Sequence, residues 1–360
     1  MEQGKRILFS PYHLGKIELK NRVVMAPMTR SRAIGNVPND IMATYYAERA
    51  SAGLLITEGT SPSPNGLGYS RIPGIYSAEQ VAGWKKVTDA VHEKGGKIFV
   101  QIMHTGRVTH PLNLPEGAEM VAPSAIASAG QMWTDAQGML DQPVPKEIPL
   151  DAIPALIAEY VHSAKAAIEA GFDGVELHSA NGYLPNQFLS KGANQRTDKY
   201  GGSHENRNRF VLEVTAAMAA AIGKDRLGIR LSPYNTFNGI VADENEAAQY
   251  VALVNGLKEI GICYVHLLNF AIPPAVVTEL HTAFGGTLIL NGGYDAARAE
   301  ADLEAGKAEL ISLGRPFISN PDLVERMVNG ASIVEPDQST FYTPGEKGYT
   351  DYPALSAITA

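Results

Sequence analysis

The feature that most constrains this chain is an alternation repeated eight times. Short apolar, β-branched runs end in polar or glycine clusters, and segments of helical period separate them. The runs are Val23–Pro27, Leu54–Gly59, Ile98–Met103, Gly174–His178, Leu227–Ser232, Tyr264–Asn269, Leu288–Gly293 and Leu310–Arg315. They are continuously apolar, as in strands covered on both faces of a parallel sheet. Eight such runs, each leading toward a helical segment, predict an α/β fold of the (β/α)8, or TIM barrel, type. Ser77 with Gln80 reads as a capping box opening one helix. Asp151 reads as the cap of another, which Gly171 stops, and Asn320-Pro321 and Gly330 bracket the last.

One domain is expected over residues 1–360. The longest gap between runs, about 105–149, is rich in Pro, Gly and Ser and follows the third run. In a barrel it would lie over the C-terminal face as a lid within that domain. The 30 basic and 38 acidic side chains leave a net charge of −8, and no basic stripe suits a nucleic-acid backbone. The lone Cys263 rules out an internal disulfide and an iron–sulfur cluster. The N-terminus lacks the apolar core of a signal peptide, and no window approaches the roughly 20 apolar residues of a membrane span, so a cytoplasmic protein without membrane contact is expected.

Barrel chemistry resides at the C-terminal strand ends. No run here ends in lysine for a Schiff base, no carboxylate pair suits a glycosidase, and no His or carboxylate cluster suits a metal. No GxGxxG motif encodes a Rossmann dinucleotide site. Gly292 and Gly293 with Gly314 and Arg315, at the last two strand ends, instead offer bare N–H groups and a guanidinium where barrels hold a phosphate. Gln101 and Arg230 would face the mouth and suit the edge of a flat heterocycle; the alternative for Arg230 is an ion pair with Glu58 or Glu176. His178 and Asn181 could polarise one oxygen while Tyr183 supplies a proton, although each alone is equally a structural residue.

These residues lie in segments that resemble the old yellow enzyme family of FMN-dependent ene-reductases, especially its bacterial N-ethylmaleimide and nitrate-ester reductase branch. The matching stretches include APMTRSRA (26–33), TEGT (57–60), QIMHTGR (101–107), GFDGVELHSANGYLPNQFLS (171–190), NQRTDKYGGSHENRNRF (194–210), GIRLSP (228–233), SLGRPFISNPDL (312–323) and GYTDYPAL (348–355). The resemblance implies that Thr29 bonds the flavin near N5 and that Pro27, Met28 and Gly59 line its ring. Gln101 and Arg230 would hold the pyrimidine edge, and Gly293, Gly314 and Arg315 the phosphate. His178 and Asn181 would orient the substrate oxygen, Tyr183 would be the proton donor, and Tyr69 and Tyr352 would be pocket walls.

The implied reaction is ping-pong. NADPH or NADH reduces bound FMN, then an electron-poor alkene (enone, enal, maleimide, nitroalkene) takes its place; nitrate esters and nitro compounds are further candidates. Competing readings are an FMN-dependent hydroxy-acid oxidase barrel and a flavin-binding protein without turnover. Departures bear on the substrate, not on the reaction. Met103 stands where close relatives carry tryptophan, which widens the pocket, and the LLNFAIPPAV stretch replaces an acidic loop. The tail 356–360 runs past the family's end. A monomer and a homo-oligomer are both compatible with the sequence.

Overall fold

The computed structural model describes residues 6–241 and 243–355; the tail 356–360 and the first five residues lie outside them. The eight apolar runs form the barrel strands β1 (Val23–Met25), β2 (Leu54–Thr60), β3 (Ile98–Ile102), β4 (Gly174–Ser179), β5 (Leu227–Leu231), β6 (Tyr264–Leu268), β7 (Thr287–Asn291) and β8 (Leu310–Leu313). They pair in parallel, each with its sequence neighbours, and β8 closes onto β1. Six of the expected ends overshoot by one or two residues, where the ladder stops and the polar clusters turn into the mouth, whereas β2 and β4 run one residue further than expected.

The interior is divided by height. At the N-terminal end, inward Val24, Leu54, Ile56, Phe99, Tyr264, Ile289 and Leu310 form an apolar plug. A hairpin, Tyr12–Leu14 with Ile17–Leu19, caps it with Leu14 and Leu19. The upper half is polar, because Gln101, Glu176, Arg230, His266 and Ser312 are all buried there. A dry floor beneath a polar mouth leaves only the C-terminal end able to take a polar ligand.

Helices α1 (Asp40–Glu48), α2 (Ala78–Glu93), α3 (Ile153–Glu169), α4 (His204–Ile222), α5 (Glu246–Ile260), α6 (Pro274–Phe284), α7 (Ala296–Glu304) and α8 (Leu323–Asn329) form the outer layer. The Ser77–Gln80 capping box opens α2. Asp151 is not a cap: a 3-10 turn, Leu150–Ala152, intervenes, and α3 starts with Pro154 in its first turn, where a missing N–H costs nothing. Asn320 does not cap α8 either. Its amide bonds the Pro316 and Val334 carbonyls instead, while left-handed Gly330 ends the helix.

The stretch 105–149 carries two small sheets, a parallel pair (Val121–Ala122 with Lys146–Glu147) and an antiparallel hairpin (Gln131–Thr134 with Gly138–Asp141). Among the described residues, no helix is long and apolar enough to cross a membrane.

Candidate active site

The strand register assembles the site. Gln101 on β3 lies beside Glu176 on β4, and His178, Arg230 and His266 form one row across β4, β5 and β6. Glu176 accepts from Gln101 Nε2 at 2.8 Å, from Tyr264 Oη at 3.1 Å and from His266 Nδ1 at 2.9 Å. Gly228 makes room for Tyr264, since a Cβ there would sit 2.2 Å from the ring. Arg230 Nη1 lies 2.6 Å from His266 Nε2, and Nη2 donates to Asn291 Oδ1 at 2.9 Å. Burial, reinforced by Arg230, lowers His266 to about 4. Burial alone would raise Glu176, but His266, Arg230 and Gln101 outweigh it and hold the carboxyl below its usual range. The network is therefore an ionised carboxylate, a neutral imidazole and a guanidinium.

Donor logic fixes what this floor presents upward. A carboxylate only accepts, so the Gln101 amide nitrogen faces Glu176 and its oxygen is left as an acceptor toward the cavity. Arg230 Nε is buried without a protein partner. An acceptor beside a guanidinium suits the N–H and C=O edge of a flavin pyrimidine ring. Gly59 supplies a bare wall, where a Cβ would lie 2.4 Å from Met103 Sδ. The β2–β3 register shift between Ile56 and Gly59 sets that residue's placement. The donor set and the bare wall fit FMN.

Above the floor opens a cavity of about 770 Å³ lined by Pro27, Thr29, Gly59, Tyr69, Gln101, Met103, His178, Asn181 and Tyr183. His178 Nδ1 is buried and has no protein partner. Burial, with Arg230 alongside, pushes His178 well below the ordinary histidine range, so the ring is a neutral donor. Asn181 is oriented by a chain anchored on backbone. The Phe237 N–H donates to Asn235 Oδ1 at 3.1 Å, so Asn235 Nδ2 donates to Asn181 Oδ1 at 2.9 Å. The Asn181 NH2 is thereby left to donate elsewhere. Its backbone is left-handed (φ 58°) and its N–H is held by Ser232 Oγ at 2.8 Å. The Tyr183 ring meets His178 edge-on at 4.8 Å, and its hydroxyl lies 2.9 Å from that of Tyr69. Burial and Tyr69 raise the Tyr183 phenol well above the usual tyrosine range, so it stays protonated.

Three placements differ from the sequence expectations. Tyr352 does not line the cavity; its hydroxyl accepts from the Asp337 N–H at 2.9 Å. The C-terminal segment contributes Ser339, Tyr342, Thr343 and Pro344 instead. Met28 also lies off the wall, its Sδ near the β8 end, 3.4 Å from where a Gly314 Cβ would be. Arg230, expected to face the mouth, is not among the residues that line the cavity, and it is paired with neither candidate carboxylate directly. Glu58 sits with Tyr46 and the Arg30 backbone, and Glu176 reaches Arg230 through His266. Gly292, Gly293, Gly314 and Arg315 stand at the adjacent ends of β7 and β8, outside the wall of this cavity. Gly293 is left-handed (φ 66°), Arg315 is exposed, and the Gly292 carbonyl accepts from Arg298 Nη1 at 2.7 Å.

Sequence reasoning missed His266, Asn235, Arg71 and the hairpin residues Trp133 and Met139. A histidine in the middle of the apolar run YVHLLN was the one available signal.

Fold and donor set together define a barrel whose mouth fits a flavin, with a neutral imidazole, an amide and a protonated phenol on the same cavity. A family described as "NADH:flavin oxidoreductase / NADH oxidase family" matches residues 7–332. A "probable flavin mononucleotide-dependent alkene reductase" of Leishmania infantum is 42% identical, covering 97% of this chain and 98% of its own length. Morphinone reductase solved with tetrahydroNAD superposes with a TM-score of 0.93 at 46% identity, covering 97% of each chain. The old yellow enzyme homologue of Zymomonas mobilis gives 0.93 at 41% identity, covering 97% of this chain and 99% of its own. The chain belongs to the NADH:flavin oxidoreductase family, the old yellow enzymes, whose members depend on FMN.

Proposed function

We propose that the chain, an NAD(P)H-dependent flavin alkene reductase of the old yellow enzyme family, reduces the C=C bond of enones, enals, maleimides and nitroalkenes. One pocket receives NAD(P)H and then the alkene in turn. Pro27, Thr29, Gly59, Gln101 and Arg230 would hold the FMN ring, and Gly293, Gly314 and Arg315 its phosphate. When bound, FMN supplies the hydride that it has taken from the nicotinamide. His178 and Asn181 donate to the carbonyl or nitro oxygen and stabilise the charge that grows there. Tyr183 gives its proton to the α-carbon, and the Tyr69 hydroxyl can then donate to the resulting phenolate. Alkene, NAD(P)H and one proton become the saturated product and NAD(P)+.

The observation that carries this reading is the pair of uncommitted donors. Neither ring nitrogen of His178 bonds to the protein, and Asn181 has an NH2 that its neighbours turn outward, on the same cavity as a protonated phenol. Binding a flavin alone requires none of the three, which argues against a carrier. The test is anaerobic turnover of the FMN-loaded protein with NADPH or NADH and a cyclic enone, N-ethylmaleimide, a nitroalkene or a nitrate ester. Expected are enone-dependent coenzyme consumption, a saturated product, and a Tyr183→Phe variant whose flavin is still reduced at the normal rate while product protonation slows. Flavin reduction by a hydroxy acid but not by NAD(P)H would refute the assignment.

A further inference from the structure

The floor of the site holds one arrangement that the reaction above does not use. Arg230 and Glu176 are both buried and carry opposite charges, yet they make no ion pair with each other. The His266 ring stands between them, wholly buried. Nδ1 bonds the carboxylate at 2.9 Å, Nε2 lies 2.8 Å from Ser312 Oγ, and Arg230 Nη1 lies along the edge between the two nitrogens, 2.6 Å from Nε2 and 3.1 Å from Nδ1. Two buried opposite charges in a low-dielectric interior attract strongly and would ordinarily close onto one another.

We infer that His266 is a positioning residue, a neutral spacer that keeps Arg230 from collapsing onto Glu176, so that its charge remains available to the pyrimidine edge of FMN. The geometry gives the spacer polarity as well as length. Glu176 takes the Nδ1 proton, so Nε2 carries the lone pair, which the guanidinium Nη1 and the Ser312 hydroxyl share. Burial, with the Arg230 charge, holds the ring near 4, so it adds no competing positive charge at neutral pH. The same carboxylate fixes the Gln101 amide, so Glu176 sets both flavin-edge contacts, one directly and one through the imidazole. Arg230 Nε remains buried without a protein partner.

The inference rests on the cavity holding FMN, and the experiment separates the two. Binding of FMN to wild-type protein is read first, by flavin fluorescence; no uptake would remove the flavin reading itself. Given uptake, the FMN dissociation constant and the two-electron potential of the bound flavin are compared across variants. His266→Ala lets Arg230 reach Glu176, and is expected to weaken FMN binding at least tenfold. It should also stabilise reduced over oxidised flavin roughly tenfold less, which a two-electron couple reads as about 30 mV downward. His266→Gln, which keeps a neutral side chain able to touch both partners, should stay within about threefold of wild type. Adding Glu176→Gln to His266→Ala removes the partner for collapse and should recover most of the lost potential, which a packing defect would not allow. If His266→Ala does not fold, His266→Asn, too short to span both partners, is compared with His266→Gln in the same way. Equal potentials in the short and long variants, or no recovery in the double variant, would overturn the proposal.

Discussion

At the scale of single residues, the site works by leaving selected donors uncommitted while fixing everything around them. His178 has a buried nitrogen without a protein partner, and in the proposed mechanism truncating it removes one of two donors to the substrate oxygen. His178→Ala with FMN bound should slow enone reduction by roughly 10²–10³, as for loss of one oxyanion donor, while NAD(P)H still reduces the flavin. Stopped-flow traces of the two half-reactions would separate these effects; equal slowing of both would contradict an oxygen-binding role. Asn235 is a subtler case. It touches Asn181 rather than the ligand, and its amide makes Asn181 present nitrogen to the cavity. Asn235→Ala should let Asn181 rotate and cost about tenfold in kcat/KM for enones, leaving FMN affinity unchanged. A titration of FMN beside steady-state kinetics checks both halves of that statement.

At the scale of elements, one arginine ties three walls of the mouth to one another. Arg71, itself left-handed (φ 58°), donates to the Ser31 carbonyl at 3.1 Å and the Tyr342 carbonyl at 2.8 Å, and ion-pairs with Asp135. Asp135 in turn accepts from Trp133 Nε1 at 3.1 Å. The β1 end, the hairpin of the insertion and the C-terminal segment are thus tied at one point, and Trp133, Met139 and Tyr342 are carried to the cavity with over half their surface exposed. Arg71→Ala should loosen all three walls. The expected cost is about 1 kcal/mol of binding, roughly fivefold in KM for a bulky enone, with kcat less than twofold changed. A KM unchanged for bulky and small enones alike would show that the tie does not shape the pocket.

For the whole molecule, the buried titratable groups set how stability depends on pH. Burial lowers His104 to about 3 and His266 to about 4, and pushes His178 well below its ordinary range. Each binds a proton only on unfolding, so each contributes stability that is present above about pH 6.5 and lost as pH falls toward its folded value. Glu58 has the opposite sign. Burial raises it to about 7, so it is protonated when folded, and its contribution is lost as pH rises from about 4.5 through 7. Glu48, Glu159 and Glu246, which burial raises less than Glu58, act in the same sense as Glu58, and the three histidines oppose all four between pH 5 and 6. Urea unfolding across that range should show stability falling on acidification, and a flat profile would mean that these histidines are not held neutral.

Much of this was legible in the order of residues. Eight apolar runs gave eight strands, because strands covered on both faces need continuous apolar character and their ends need polar or glycine residues. The polar candidates His178, Asn181, Tyr183, Gln101 and Arg230 could be placed at strand ends for the same reason. What the sequence could not show was which strands become neighbours in register. The row His178–Arg230–His266 exists only because β4, β5 and β6 pair side by side, and it brings together residues up to 88 positions apart. The exchange of Tyr352 for Tyr342 has a different cause. Arg30 and Arg32 hold the C-terminal segment by the carbonyls of Thr340, Phe341, Gly345, Lys347 and Gly348, and a carbonyl looks the same on every residue. Local pattern therefore decided the barrel and its chemistry-bearing ends; closure of the sheet and side-chain-to-backbone bonding decided which groups meet.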